Sequence, residues 1–340
     1  MTRSSKSLRV AVLAAGAVAI AFLSLGVGRF AISPGEILHA ALGALSGIFG
    51  GAPGISESAQ SRILWEVRLP RVLLAFFAGG GLALAGASLQ GVFRNPLVDP
   101  HIIGVTAGAA FGGALSLLMG ASILVMMIAA FGFGILALGL VTLAASLSGR
   151  DDRLIIVLAG IIVAGVFSAL VSLVQYSADS EETLPSIVFW LMGSFATANW
   201  PKTLAASGLI LAAALVLIRL RWRINLLSLD DRDAASLGIQ VGWLRRGVLF
   251  LAAAITAAQV SVSGSIGWVG LVVPHLARMI AGADHRHLMP ASFWLGAGFM
   301  VLVDDTARTM TSAEIPPGIL TALIGAPVFA ALLLRSRRFL

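Results

Sequence analysis

Residues 70–92 read PRVLLAFFAGGGLALAGASLQGV, an apolar run whose single charge lies near its start. A helix rises about 1.5 Å per residue, so a run of this length crosses the roughly 30 Å hydrocarbon layer of a membrane. Glycine lets helices approach closely in lipid and is commoner there than in soluble helices. The run therefore predicts a membrane-spanning helix.

Eight further runs are also long and apolar enough to span a membrane. They lie near residues 8–28, 102–119, 122–147, 154–176, 202–219, 245–263, 290–309 and 318–334. A shorter stretch, Trp268–Ile280, contains Pro274 and is interpreted as a broken or half-length helix buried among the others. The sequence predicts an all-α, polytopic transmembrane bundle of about ten spanning helices, in a single domain over residues 1–340.

The composition excludes an ordinary water-soluble enzyme. Hydrophobic residues make up 58% of the chain and charged residues 11%, whereas a soluble domain has about 45–50% and about 25%. The net charge of +7 does not indicate nucleic-acid binding, because the basic residues lie between apolar runs rather than on one surface. The absence of cysteine excludes disulfides and thiolate metal sites.

The positions of Lys and Arg predict the orientation, since these residues favour the cytoplasmic side. With the N-terminus inside, only six of the 23 basic residues fall on the outer side, namely Arg29, Arg62, Arg68, Arg71, Lys202 and Arg308. Ten crossings then bring the C-terminus back to the inner side. The chain is predicted to be a multi-pass membrane protein of N-in, C-in topology.

The sequence lacks the phosphate-binding loop of an ATPase. Its two lysines, Lys6 and Lys202, do not follow the glycines of a GxxxxGK[ST] motif. Its five histidines do not have the HExxH spacing that indicates a catalytic zinc site. No catalytic residue, metal site or cofactor is therefore predicted for this chain, and a pump of this kind would need energy from another protein.

The inner connection at about residues 226–243 has the pattern of a short helix outside the membrane. Asp233-Ala234-Ala235 is followed by Gly238, which predicts a small-faced helix ended by a glycine C-cap. A polar connector is the alternative, but a connector needs neither the alanines nor this length. The pattern favours a knob that docks in a groove of another protein.

Several blocks of sequence resemble the FecCD-type permeases of ABC importers, a family that carries cobalamin, haem and iron siderophores. They occur in order over about residues 60–335 and read RLPR at 68–71, GASLQG at 86–91, RNPLVDP at 94–100, GSIGWVGLVVPH at 264–275, EIPPG at 314–318 and GAP at 325–327. The resemblance implies a homodimer in the bacterial inner membrane, with the pathway between the subunits. It also implies two cytoplasmic ATPase subunits, which bind ATP and Mg²⁺, and a periplasmic substrate-binding protein.

The resemblance further implies import of a bulky metal chelate, powered by the separate ATPase. Iron siderophore and haem are the first expectations for the cargo, cobalamin follows, and an oxyanion such as molybdate is also open. A pathway for large chelates is typically smooth and weakly binding, and specificity mostly resides in the binding protein. The residues of this chain therefore leave the cargo undecided.

At the outer side, the resemblance implies that Arg68, Arg71 and Arg308 pair with glutamates of the binding protein. Arg68 and Arg71 are three residues apart and so face the same way on a helix. Stray charge at the head groups is the alternative, but arginines on the outer side run against the positive-inside distribution. Rim charges of this kind mainly steer encounter and fix the register of docking.

At the inner side, Asn95 and Leu97 match gate positions of the family. Without the resemblance, Asn-Pro at residues 95–96 would be only a turn signal. The second gate position, at the inner start of the fifth span, is occupied by Arg153 and Leu154, where the cobalamin permease has small hydroxyl residues. The resemblance thus implies a gate of mixed apolar and polar side chains.

The short helix of the inner connection acquires a role through the same resemblance. Asp233, Ala234, Ala235 and Gly238 match the loose pattern of the helix that couples these permeases to their ATPase. ATP-driven force would enter the chain here and move the inner gate in an alternating-access cycle.

Two other classes of membrane protein stay open. An ion-driven secondary transporter of a small molecule uses broken helices and intramembrane acids, and Asp304 and Asp305 are candidates for such acids. An internal Asp304–Arg308 pair, at positions i and i+4, explains the acids more simply. A membrane-embedded enzyme would show clustered Asp or His facing a cavity, and the sequence has no such cluster.

Overall fold

The structure is a computed structural model that describes residues 3–28, 33, 35–37, 59–148 and 153–336. Over these residues the chain is helical and has no β-strand. The main α-helices are α1 (Arg3–Ser24), α2 (Leu69–Phe93), α3 (Val105–Leu118), α4 (Ile123–Leu147), α5 (Arg153–Ser177), α6 (Thr183–Leu191), α7 (Trp200–Leu226), α8 (Asp231–Ser236), α9 (Val241–Ser263), α10 (Val269–Ala281), α11 (His285–Met310) and α12 (Pro317–Ser336). A short α-helix, Ala59–Arg62, and a π-helix, Ile63–Arg68, run directly into α2.

The described helices confirm an all-helical membrane bundle with ten apolar helices. Seven of them, α1, α2, α4, α5, α7, α9 and α11, are long and apolar enough to cross a membrane. Helices α3, α10 and α12 are apolar but shorter. These ten coincide with the ten runs predicted from hydropathy.

Helix α2 lies at the centre of the bundle and is buried along almost its whole length against α11, α7, α9 and α10. Glycine permits this packing at two backbone contacts. A Cβ atom on Gly79 would lie 2.3 Å from the carbonyl oxygen of Gly296, and one on Gly86 would lie 1.9 Å from that of Gly270. Small residues at such crossings let helices associate closely in lipid, where the hydrophobic effect does not drive them together.

Helix α10 is half-length, as predicted, but it is not broken at Pro274. It runs without interruption through 13 residues. Proline has no N–H, so the carbonyl of Gly270, four residues earlier, lacks its usual helical partner. The side-chain amide of Gln90 approaches that carbonyl at 3.4 Å, so α2 compensates the lost hydrogen bond and the expected break is absent.

Helix α6 is a nine-residue element in a stretch expected to be an outer connection. It packs against α3, where a Cβ atom on Gly113 would lie 2.0 Å from the Trp190 ring. The backbone N–H of Ser194 donates to the carbonyl of Ser263 at the end of α9, at 2.8 Å. The segment therefore folds back against the bundle, and hydropathy missed it because nine residues are too few to span a bilayer.

Candidate coupling, gating and translocation sites

Helix α8 confirms the short helix predicted in the inner connection, although it starts two residues earlier than Asp233. The side chain of Asp230 accepts from the backbone N–H of Asp231 at 3.0 Å and caps the start. Gly238 has a φ of +81° and donates to the carbonyl of Ala235, while Ile239 donates to that of Ala234. This pair of hydrogen bonds is a Schellman motif, which a left-handed glycine makes possible.

One face of α8 is buried against the permease and the other is exposed. Ala234 is fully buried against the permease, whereas Asp233, Ala235 and Gly238 are exposed. Leu237, just after the helix, is also exposed at 59%, although it is apolar and lies in a connection outside the membrane. The described part of the chain therefore leaves one side of this small helix uncovered.

Asp231 ties α8 to three membrane helices. Its Oδ1 accepts from Arg94 at the inner end of α2, at 2.9 Å, and from Arg153 at the start of α5. Its Oδ2 accepts from Arg245 near the start of α9, at 2.8 Å. We call Asp231 with these three arginines the arginine cluster. If α8 rotates or shifts, the three arginines must move with the Asp231 carboxylate, or their hydrogen bonds to it must break.

The ionisation of Asp231 follows from this arrangement. Its burial raises the pKa, but hydrogen bonds from Arg245 and Arg94 and the charges of Arg245 and Arg153 outweigh burial and lower the pKa to about 2. A lowered pKa means that the carboxylate stabilises the fold above its ordinary pKa of 3.8 and loses this effect as the pH falls towards 2. The carboxylate of Asp231 is thus ionised near neutral pH.

The predicted gate residues lie beside the arginine cluster. Arg94 ends α2 in a left-handed conformation, with φ of 50°, and its Nε donates to the carbonyl of Leu227 at 2.8 Å. The next residue, Asn95, accepts from the backbone N–H of Leu97 at 2.9 Å and closes a tight turn. Leu97 and Leu154 are exposed at 46% and 62%. The structure therefore joins both predicted gate segments to α8, through Arg94 and Arg153.

The outer arginines are not free rim charges in this structure. Arg68, Arg71 and Arg308 are only 5%, 7% and 6% exposed. Arg71 donates to Asp304 on α11 through both Nε and one terminal nitrogen, at 2.9 Å each, and to Glu314 at 3.0 Å. The guanidinium of Arg71 therefore crosslinks α2 to α11 and to the loop that follows α11.

The other two outer arginines face α1. Arg308 pairs with Asp305 and donates to the backbone carbonyl of Ser24 at 2.7 Å. Arg68 donates to the carbonyl of Leu25 at 2.6 Å. Both arginines thus donate to backbone carbonyl groups at the outer end of α1 and hold that end against α2 and α11.

The predicted Asp304–Arg308 pair is wrong. Asp304 pairs with Arg71 from α2, and Arg308 pairs with Asp305 instead. The spacing on one helix could not reveal that an arginine enters from a neighbouring helix. Both intramembrane acids pair with arginines, so they no longer favour an ion-driven secondary transporter.

A cavity of about 670 Å³ lies between α6, α10, α12 and the 3₁₀ turn at Pro100–Ile103. Three polar residues reach it, Asp99, His101 and Ser265. Asp99 Oδ1 accepts from the backbone N–H of His101 at 2.8 Å, while its Oδ2 is buried without a hydrogen-bond partner among the described residues. The remaining walls are mostly apolar, from Leu191, Met192, Trp268, Leu271, Ile319 and Leu323. Such a surface binds a solute weakly.

Sequence reasoning missed two of these functional candidates. Asp231 was passed over in favour of Asp233, although adjacent acids at 230–231 are a signal for a helix N-terminus. The cavity depends on α6, and no hydropathy signal reveals which polar residues from distant segments meet there. Only the packing of the helices brings Asp99 and Ser265 to one surface.

Comparison with known proteins gives consistent results. The sequence profile of the FecCD transport family matches residues 16–335. The chain is 49% identical over 324 residues to the molybdate import system permease of Haemophilus influenzae, covering 94% of each protein. It is 39% identical over 289 residues to the hemin transport system permease of Yersinia pestis, covering 83% of this chain and 86% of that protein.

A solved structure agrees in fold and sequence. It represents an inward-facing conformation of a metal-chelate type ABC transporter. Its TM-score to this chain is 0.84 at 46% identity, and the match covers 96% of this chain and 98% of the other. With ten apolar helices, a profile match over almost the whole chain and relatives that are import permeases, this protein belongs to the FecCD transport family and is a multi-pass permease of an ABC importer in the bacterial inner membrane.

Proposed function

We propose that this permease imports molybdate or a related tetrahedral oxyanion. The observation that carries this proposal is the identity of 49%, spread over 94% of both chains, to a permease named for molybdate import. Transport of haem or an iron chelate is the second candidate, because relatives named for hemin and iron chelatin transport are 39% identical. This order reverses the one expected from the sequence blocks alone.

The cavity between α6, α10 and α12 supports passage of a small hydrated anion. Its walls are mainly apolar and its polar side chains are few. An oxyanion would keep most of its water there, because donors such as His101 and Ser265 are isolated and the acidic side chain of Asp99 disfavours a tightly bound anion. Weak contact of this kind suits a pathway, because a tightly held solute would leave slowly.

Uptake of candidate cargoes by the reconstituted transporter tests the proposal. The permease, with the ATPase and binding protein of the same transport system, is placed in proteoliposomes that contain ATP. Molybdate and a ferric siderophore are supplied separately, and the metal taken up is counted by mass spectrometry. We expect ATP-dependent molybdate uptake at least tenfold above that of the ferric chelate. If the ferric chelate is taken up faster than molybdate, the cargo is a chelate and the oxyanion proposal is wrong.

The assembly we propose contains two copies of this chain, two cytoplasmic ATPase subunits and one periplasmic binding protein. ATP and Mg²⁺ are bound by the ATPase subunits, and this chain supplies the pathway without hydrolysing ATP. The three outer arginines stay predicted docking positions for the binding protein. Any such role must coexist with their internal hydrogen bonds, since Arg71 already engages two carboxylates.

The arginine cluster supports a route for the coupling force. When the ATPase moves α8, the carboxylate of Asp231 pulls on Arg94 and Arg153 together. Arg94 immediately precedes the turn that holds Asn95 and Leu97, and Arg153 immediately precedes Leu154. One displacement at α8 would therefore shift both predicted gate segments in concert.

The uncovered side of α8 is the proposed contact with the ATPase. Replacing Leu237 by Asp is expected to weaken the affinity of the permease for the ATPase about tenfold, because an anchoring apolar side chain at an interface is commonly worth more than 1 kcal/mol. Leu237 is 59% exposed, so the permease itself should fold normally. The affinity is measured by titrating the ATPase onto permease in nanodiscs.

Ser228→Asp is the matched control for this prediction. Ser228 is exposed and lies in the same inner connection, before α8, so it receives the same new charge outside the proposed contact. It should bind the ATPase as the unmodified chain does. Equal affinity for the Leu237→Asp variant and the unmodified permease would place the contact elsewhere.

A further inference from the structure

A second cavity, of about 570 Å³, lies at the inner ends of α1, α7 and α11 and shares no lining residue with the first. It is lined by Ser7, Val10, Arg221, Trp222, Arg286, His287 and Pro290. The predicted topology places the starts of α1 and α11 and the end of α7 at the cytoplasmic surface. The cavity is therefore at the level of the inner lipid head groups.

The charges around this cavity are mostly positive. Arg221 and Arg286 line it, and Lys6 is close enough to interact electrostatically with His287, as are both arginines. Arg221 thus lines the cavity with Lys6 nearby, and neither has an ion-pairing acid in the part of the chain that the structure describes. The acid close to His287, Asp284, is paired with Arg286.

The third cation is held in place. Arg286 Nε donates to Asp284 Oδ2 at 2.8 Å, and its guanidinium carbon lies 5.1 Å from the centroid of the Trp222 ring. Hydrogen bonding from Arg286 lowers the pKa of Asp284 to about 2, so this carboxylate is ionised and keeps orienting the guanidinium. Arg286 therefore has a fixed position in the cavity wall, held by the Asp284 carboxylate and the Trp222 ring.

The neighbouring surface is suited to an acyl chain. On α1, next to the cavity, Leu8 and Val12 are exposed at 65% and 62%. Trp222 is 51% exposed, and tryptophan is enriched at the boundary between head groups and hydrocarbon. A ligand in this cavity can thus place an anionic group among the cations while its apolar part follows α1 into the membrane.

We propose that this cavity binds the phosphate head group of an anionic phospholipid such as phosphatidylglycerol. Basic pockets between membrane helices on the cytoplasmic side recognise such head groups, and each nearby Lys or Arg adds to their affinity. Arg221 and Lys6 neutralise the phosphate, while Arg286 and Trp222 form the wall beside it. The bound lipid joins the inner ends of α1, α7 and α11.

Native mass spectrometry of the full chain tests this site. The purified permease is titrated with phosphatidylglycerol or with zwitterionic phosphatidylethanolamine, and the number of bound lipids is counted. We expect Arg221→Gln to weaken phosphatidylglycerol binding about fivefold, and Lys6→Gln combined with it to weaken binding further. Binding of phosphatidylethanolamine should be weaker and unchanged by either substitution.

Arg223→Gln is the matched control, since Arg223 lies on the same end of α7 and is exposed but lines a different cavity. It should retain phosphatidylglycerol as the unmodified chain does. The proposal is overturned if the Arg221 and Lys6 variants bind phosphatidylglycerol normally or if the control loses as much. Displacement of the lipid by an equal concentration of inorganic phosphate would also overturn it, by assigning the cavity to a soluble anion.

Discussion

Replacing Asp231 with arginine is expected to abolish transport while ATP hydrolysis by the assembled importer continues. The new guanidinium would face Arg94, Arg153 and Arg245, whose shared carboxylate acceptor is gone. The new guanidinium and the three arginines repel one another at close range, so α8 loses its connection to both predicted gate segments. We expect the cargo transported per ATP hydrolysed to fall at least tenfold, measured in proteoliposomes with saturating ATPase.

Two further variants separate uncoupling from other causes. Glu181→Arg makes the same charge change at an exposed position in the connection between α5 and α6, without an ion pair among the described residues. At saturating ATPase it should transport nearly normally. Asp231→Asn removes the charge without adding repulsion and should give an intermediate loss. Normal coupling in the Asp231→Arg variant would show that force does not pass through the arginine cluster.

The pH dependence of this connection is set by the lowered pKa of Asp231. Because the folded-state pKa is about 2, below the ordinary value of 3.8, the ion pairs persist throughout the range in which importers work. They weaken only as the pH falls from about 4 towards 2. Any change of transport rate between pH 6 and pH 8 should therefore have another origin.

Replacing Asp304 with asparagine is expected to destabilise the permease by about 3 kcal/mol, because it leaves the buried Arg71 without its main countercharge. The side chains of Arg71 and Asp304 are only 9% and 2% exposed, so water cannot take over from the lost partner. Arg71→Gln should have a similar effect from the other side of the pair. Both are measured as a lower melting temperature of the purified protein in detergent.

The double variant Arg71→Gln, Asp304→Asn distinguishes a structural role from docking. The two amides carry no charge and can hydrogen-bond each other, so much of the lost stability should return. If Arg71 also docks the binding protein, the double variant will fold well and still bind that protein weakly. Unchanged docking together with restored stability would assign Arg71 to the internal crosslink alone. Equal stability of all three variants and the unmodified chain would contradict the ion-pair interpretation.

Most of the fold was predictable because hydropathy is a local property. A lipid-embedded helix must be apolar over about 20 residues, and the nine long runs and the shorter one at Trp268–Ile280 each correspond to a helix. Gly238 likewise predicted the end of α8, because the left-handed backbone conformation of a C-cap favours glycine at that one position. The family was also readable, from motif blocks that keep their order along the chain.

The sequence alone determined that the protein is a ten-helix membrane permease with a small inner helix, since composition, apolar length and local motifs are carried by neighbouring residues. Tertiary structure decided which charges meet. Arg71 binds Asp304 and Glu314, Arg308 pairs with Asp305, and Asp231 accepts hydrogen bonds from arginines of three helices. Ion pairing depends on distances between helices that are far apart in sequence, and only packing fixes those distances.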